Sequence, residues 1–161
     1  MSTQIQYQTL FAWHFDLIRR LLEAAAQLSD ADYHDNPGYG RGPVHDLLFH
    51  MLVSDLRWRA GLETGQRMPG PKAQDYPDLQ SLRAFYEAEK SAWLAYLAGL
   101  SDEAIAGDAA VPAPNGVVRS IPRWRILLHV SLHGMQHAAE LAEHLTQKGH
   151  SPGNIDFIFY E

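Results

Sequence analysis

The C-terminal part of the sequence carries histidines at helical spacing. Nine histidines occur among the 161 residues, and His129, His133 and His137 follow one another at intervals of four. At about 100° per residue, these three side chains lie within about 80° of one another on one stripe of a helix. Two imidazoles on adjacent turns can converge on one divalent ion, so the spacing predicts a metal site.

The residues around these histidines argue against two familiar metal chemistries. The zinc protease helix carries a glutamate directly after its first histidine, whereas Gly134 follows His133. A di-iron carboxylate bundle needs a glutamate three residues before a histidine in each of two helices, and no histidine of the last predicted helix has one there. The pattern therefore favours a mononuclear site that takes a further ligand from another helix.

His50 is the candidate for that further ligand. It is the only histidine well inside the second predicted helix. It lies about 60° from Leu47 and about 100° from Met51, at the margin of the apolar stripe. Spacing alone leaves open whether His50, His133 and His137 bind a metal or are hydrogen-bonded residues of a polar core.

Other polar residues could support or line such a site. Asp46 precedes His50 by one turn and could accept a hydrogen bond from an imidazole, which would fix its tautomer. Asp55 falls within the apolar stripe, so it needs a partner, for which Arg57 and the histidines of the last helix are candidates. His129 could line the pocket or replace a ligand.

The remaining histidines are predicted to be packing or surface residues. This group comprises His14, His34, His45 and His150. His144 shares the stripe of the last helix but lies about 10 Å beyond His137, too far to bind the same ion.

Four amphipathic segments must position these side chains. Apolar residues recur at intervals of three and four over about 4–28, 43–62, 77–97 and 122–148. The second and third connections are long, and Asn115–Gly116 in the third suggests a small hairpin. The tail, with Ile155, Phe157 and Phe159 alternating, should dock in extended form. We predict a single all-α domain over residues 1–161, a four-helix bundle with long crossover connections.

Composition narrows the class of protein further. Hydrophobic residues make up 46% of the chain, enough for a core, and there is no cysteine, so any catalytic sulfur must come from outside. The net charge is −6 and the 13 basic residues are scattered, which argues against a nucleic-acid partner. Without an apolar leader or a long apolar run, the expectation is a cytoplasmic protein with no membrane partner.

Three segments, in this order, resemble the DinB-like (damage-inducible protein B) superfamily. They are GPVHDLLFHMLVSDLRW with His50, PRWRILLHVSLHGMQHAAELAEHL with His133 and His137, and the closing GHSPGNIDFIFY. The resemblance covers nearly the whole chain and relates it to bacillithiol-type transferases and mycothiol-dependent maleylpyruvate isomerase. Each motif is weak alone, but the three together, at these intervals, are specific.

The resemblance implies an up-down-down-up bundle, frequent homodimerisation, and a divalent metal held by His50, His133 and His137. The chain departs from the commoner family pattern after the last of these, where Ala138, Ala139 and Glu140 replace Arg-Gly-Gln. Glu140 could supply a carboxylate that orients a metal-binding imidazole. The resemblance fixes the fold better than the activity, because one bundle serves different substrates.

The leading hypothesis is a metal-dependent transferase. An open coordination position would bind an external low-molecular-weight thiol as its thiolate, which then attacks an electrophilic substrate. Zinc or nickel suits an all-imidazole ligand set. The alternatives are a metal-binding stress-response bundle without turnover, a metal-assisted hydrolase, and a metal-free dimerising bundle.

Overall fold

The computed structural model describes residues 2–112 and 117–160. Four long helices dominate it, and the predicted segments match them to within about three residues at each end. The predicted Asn115–Gly116 turn lies outside the described residues. In chain order the elements are α1 (Thr3–Ala25), α2 (Asp30–His34), α3 (Val44–Thr64), α4 (Leu79–Ala98), α5 (Asp102–Ala106), β1 (Asp108–Pro112), β2 (Val118–Pro122) and α6 (Arg123–Gln147), with 3-10 turns at Ala73–Asp75 and Phe157–Phe159.

The long helices form an up-down-down-up bundle, which confirms the predicted fold class. In this ring α1 and α3 each pack against both α4 and α6. The amide of Gln4 lies beside the end of α4, donating to the carbonyls of Leu97 and Ala98, so α1 and α4 are antiparallel. Tyr7 donates to the carbonyl of Trp124 at the start of α6, so α1 and α6 run parallel.

The parallel pairs require the long connections. Because α3 and α4 run in the same direction, residues 65–78 must return along the length of the bundle before α4 can begin. The connection from α4 to α6 is occupied by α5 and by the antiparallel pair β1 and β2, in which Asp108 pairs with Pro122 and Pro112 with Val118. These short elements were not separately predicted, apart from the hairpin.

Aromatic and aliphatic side chains fill the centre of the bundle. Phe11 and Trp93 are fully buried, and their rings lie 4.5 Å apart, joining α1 to α4. Burying one such side chain contributes about 1.5 to 3 kcal/mol relative to exposure. The side chain of Arg59 adds a bidentate ion pair to Glu89 at 2.7 and 3.0 Å, which ties α3 to α4.

The C-terminal tail differs in part from its prediction. Residues 150–156 have no regular secondary structure and turn at Gly153, whose φ is +80°; Ile155 packs against the core, and residues Phe157–Phe159 form a 3-10 turn. Phe157 contacts the Trp13 ring at 5.1 Å, while Phe159 stays exposed. Alternation of apolar residues therefore did not produce an extended strand.

None of the helices in the described residues is long and apolar enough to cross a membrane.

A homodimer stays a prediction, and α6 offers the surface for it. Trp124, Leu128 and Leu132 stand one turn apart and are 43%, 36% and 61% exposed. An apolar stripe of this kind is typical of an interface. Light scattering should report twice the chain mass of 18.1 kDa at micromolar concentration. Leu132→Glu should shift the protein to monomer, while Ala84→Glu on exposed α4 surface should not; a wild-type monomer would contradict the prediction.

Candidate metal centre

The rings of His50, His133 and His137 meet between α3 and α6. One ring nitrogen from each lies within 4.8 Å of the other two. Among the described residues, these three histidines form the one group of three or more side chains close enough together to bind a single metal ion. His50 Nε2 and His133 Nε2 are 3.3 Å apart. Tetrahedral ligands about 2.0 to 2.1 Å from a zinc ion would lie about 3.3 Å from each other, so this spacing fits a metal site.

Helix geometry explains why these three residues converge. His133 and His137 are one turn apart on α6, and their ring centroids are 4.6 Å apart. Because α3 runs antiparallel to α6, His50 near the start of α3 lies opposite the middle of α6, with its ring 4.7 Å from that of His137. The cluster therefore depends on the α3/α6 packing as well as on the sequence spacing.

Burial favours the neutral form of His50 and of His133. Desolvation, followed by the charge of Arg41 and the neighbouring histidines, lowers the pKa of His50 to about 4. Desolvation and the charge of His137 lower the pKa of His133 as well. A metal binds the deprotonated ring, so neutral imidazoles suit this chemistry at neutral pH.

Glu140 orients the ring of His137. Its Oε2 lies 3.3 Å from His137 Nδ1, so the Nδ1 proton can be donated to the carboxylate, which leaves Nε2 with a free lone pair. Burial disfavours the carboxylate, but hydrogen bonds from the Arg41 amide and the His137 ring outweigh it and lower the pKa of Glu140. This is the arrangement that the sequence analysis anticipated for Glu140.

The same carboxylate holds the loop that precedes α3. The backbone N–H of Arg41 donates to Glu140 Oε1 at 2.7 Å. Gly40 adopts φ +62°, and a Cβ there would approach Glu140 Oε1 to 2.0 Å. Only glycine allows both the left-handed backbone and this close approach. The residue pattern G-Y-G-R-G could have signalled a tight loop, but not its contact with α6.

The side chain of Arg41 also contacts the cluster. Its Nη2 donates to His50 Nδ1 at 2.9 Å, because arginine has no acceptor. In a neutral ring this hydrogen bond leaves the proton on Nε2, which faces His133. A metal bound to His50 Nε2 requires the ring proton on Nδ1 instead, so Arg41 must release Nδ1. The Arg41 hydrogen bond and the metal therefore favour different tautomers of His50. Sequence reasoning missed this residue.

Asp46 and His129, which were also predicted to support the site, are not part of the cluster. Asp46 contacts Nδ1 of the adjacent His45 at 2.9 Å, and no contact joins it to His50 among the residues that the structure describes. His129 is exposed, and its ring makes an edge-to-face contact with Trp58, with ring centroids 5.1 Å apart. His129 therefore lies at the mouth of the cluster, its ring 6.0 Å from that of His133.

The expected partners of Asp55 were wrong. Asp55 Oδ2 contacts Nε2 of His14 on α1 at 2.9 Å, rather than Arg57 or a histidine of α6, and both side chains are almost fully buried. His14 is thus a core residue, as predicted, and its ring is hydrogen-bonded to the carboxyl group of Asp55. The ring fits there because Gly134 lies beside it: a Cβ at Gly134 would come within 2.2 Å of His14 Cε1.

The chain belongs to the DinB family, whose model matches residues 1–161. Among solved structures it is similar to YfiT from Bacillus subtilis, described as a probable metal-dependent hydrolase with an unusual four-helix bundle topology. That likeness has a TM-score of 0.69 and 17% identity, and covers 94% of this chain and 91% of YfiT.

It is also similar to the DinB-like protein YjoA from Bacillus subtilis, with a TM-score of 0.64 and 16% identity, over 91% of this chain and 94% of YjoA. No curated protein matches the sequence. At these identities the two structures establish the fold.

The contact between Glu140 and His137 leads to a prediction about affinity. Glu140→Gln removes the carboxylate that accepts the Nδ1 proton and should weaken zinc binding about 10- to 100-fold, the usual effect of losing such a partner. Competition with a chromophoric chelator measures this affinity. Glu143→Gln, an exposed change one turn further along α6, is the control. Equal affinities for both variants would show that Glu140 does not act on the ion.

Proposed function

We propose that this protein binds one divalent metal ion through His50, His133 and His137 and uses it to activate an external thiol for transfer to an electrophile. The observation that carries the proposal is the convergence of one ring nitrogen from each of three imidazoles within 4.8 Å. Three nitrogen ligands leave a coordination position for a substrate, as in catalytic rather than structural zinc sites.

The residues fit zinc or nickel better than a harder ion. The cluster itself offers imidazoles only, and Glu140 contacts a ring instead of joining the cluster. Imidazole suits zinc, nickel and copper, whereas magnesium and calcium prefer oxygen ligands. When bound, such an ion stabilises the deprotonated form of a thiol and so raises its fraction at neutral pH.

The protein's own residues would position the reactants. Glu140 fixes the tautomer of His137. Arg41, once released from His50 Nδ1, would supply a positive charge beside the cluster for an incoming thiolate. The thiolate sulfur forms a bond to the electrophilic carbon of the second substrate, and the leaving group departs with its bonding electron pair. The thiol proton is released to solvent. No cysteine competes for the metal, since the chain has none.

The experiment is a thiol titration of the cobalt-loaded protein. Adding 2-mercaptoethanol should produce a sulfur-to-metal charge-transfer band and release about one proton per thiol bound. Ethylene glycol, its oxygen analogue, should produce no such band. His133→Ala should abolish both signals. Benzyl bromide should then consume thiol faster with the protein than without it, with one bromide released per thiol lost.

Metal-assisted hydrolysis is the second candidate, because YfiT is described as a probable metal-dependent hydrolase. The same ligand set can lower the pKa of a bound water towards neutrality. A cobalt spectrum that ignores thiols but responds to acetate would overturn the transferase proposal in favour of hydrolysis or of an ion without turnover.

A further inference from the structure

A cavity lies towards the end of α3 and the start of α6, and its lining includes none of the three cluster histidines. It has a volume of about 280 Å³ and is bounded by α3, the segment after it, β1 and the start of α6. Trp58 forms one wall, and its ring contacts that of His129, which in turn lies 6.0 Å from that of His133. Trp58 and His129 therefore connect the cavity to the candidate metal centre.

The charged side chains that line the cavity are both basic and exposed, whereas the chain as a whole has a net charge of −6. Its charged lining residues are Arg57 and Arg67, and no aspartate or glutamate lines it. Over residues 2–112 and 117–160, neither guanidinium forms a hydrogen bond or an ion pair. Acidic residues outnumber lysine and arginine by 19 to 13 in the sequence, so two unpaired arginines in one cavity are a local excess.

The guanidinium of Arg57 is exposed and lies beside Gly70. Gly70, in the segment after α3, lies so close that a Cβ there would come within 2.8 Å of Arg57 Nε. Arg57 follows His50 by seven residues, two turns on the same face of α3, and helical side chains tilt towards the N-terminus. The charge of Arg57 is the last of the contributions to the lowered pKa of His50.

The remaining walls are largely apolar. Leu62 and Met68 line the cavity from the end of α3 and the following segment, and Ile126 lines it from α6. Together with the indole of Trp58 they form a surface for a flat or aliphatic group. Ligand cavities commonly combine such walls with a few charged groups that fix orientation.

We propose that this cavity binds a small organic anion with an apolar body, its carboxylate or equivalent group on Arg57 and Arg67 and its apolar part against Trp58. This names the class of the electrophilic substrate and so rests on the proposed function. Arginine binds carboxylates through paired hydrogen bonds, which would hold such a molecule in one orientation. Its apolar part, against Trp58, would then lie on the side of the cavity nearer His129 and the metal centre.

Phenylacetate is the probe, and phenylacetamide is its uncharged counterpart. Metal-free protein, prepared with a chelator, should bind phenylacetate with quenching of tryptophan fluorescence. Its affinity for phenylacetamide should be lower by a factor of about ten or more. Arg57→Gln should weaken phenylacetate binding about tenfold, since a charge-assisted pair is lost. Arg125→Gln, an exposed change on α6 outside the cavity, should leave it unaltered.

Position relative to the metal is tested by relaxation of the phenylacetate ring protons. These signals should broaden with cobalt-loaded protein and not with zinc-loaded protein, and Arg57→Gln should reduce the broadening. Equal binding of acid and amide, or no effect of Arg57→Gln, would overturn the proposal. Broadening that survives Arg57→Gln would place the carboxylate on the metal and would also overturn it.

These results separate the two proposals. Phenylacetate binding is measured without metal, so it does not depend on thiol activation. A protein that binds phenylacetate in this cavity but gives no thiolate band would retain the anion site and lose the transferase function. A protein with the thiolate band but no preference for the acid over the amide would retain the transferase function and lose this cavity assignment.

Discussion

Replacing any one of His50, His133 and His137 with alanine should lower bound zinc from about one ion per chain to well below half. Each substitution removes one of three protein ligands, and the remaining two imidazoles leave a site of much lower affinity. Elemental analysis of protein purified without a histidine tag measures the stoichiometry directly. This is the largest effect that the structure predicts for metal content.

The controls are histidines outside the cluster. His34→Ala and His150→Ala should leave the metal content unchanged, because neither residue belongs to the group within 4.8 Å. Far-UV circular dichroism of each variant checks that the helices remain. Full metal in all three cluster variants would show that the ion, if present, is held elsewhere.

Replacing Asp55 with alanine should lower the free energy of unfolding by about 1 to 3 kcal/mol, the usual cost of leaving a buried polar group without its hydrogen-bond partner. The partner ring of His14 is 1% exposed, and its Nδ1 already has no partner among the described residues. Without Asp55 neither ring nitrogen would be satisfied. Urea unfolding monitored by circular dichroism measures the change.

Two further variants interpret that result. Glu63→Ala breaks an exposed ion pair on the same helix and should cost less than about 1 kcal/mol. The double replacement His14→Leu and Asp55→Leu should recover most of the lost stability, because removing both partners of a buried hydrogen bond leaves no polar group unsatisfied. A cost for Asp55→Ala no larger than for Glu63→Ala would contradict the assigned role of the pair.

The helices and two of the three cluster residues could be predicted because they depend on local geometry. Apolar residues at intervals of three and four define one face of a helix whatever it packs against. The same rule places His133 and His137 on adjacent turns. Helical spacing alone could not identify His50 as the third ligand. Its position at the margin of an apolar stripe made it a candidate, and the family resemblance selected it.

The contacts that support the cluster required the tertiary structure. Arg41 reaches His50 from a loop whose path is set by Glu140, 99 residues away in the sequence. Asp55 was recognised as a buried carboxylate in need of a partner, but its partner lies on α1. No local pattern specifies which of several neighbouring helices supplies that group.

The sequence by itself therefore determined the four helices, the spacing within α6 and the absence of an internal thiol, because each follows from residue type or from the geometry of a single helix. Only the tertiary structure decided that α3 lies antiparallel to α6, that His14 pairs with Asp55, and that the cavity beside Trp58 carries unpaired arginines. Those features depend on which helix faces meet, and that choice is made by the packing of the whole core.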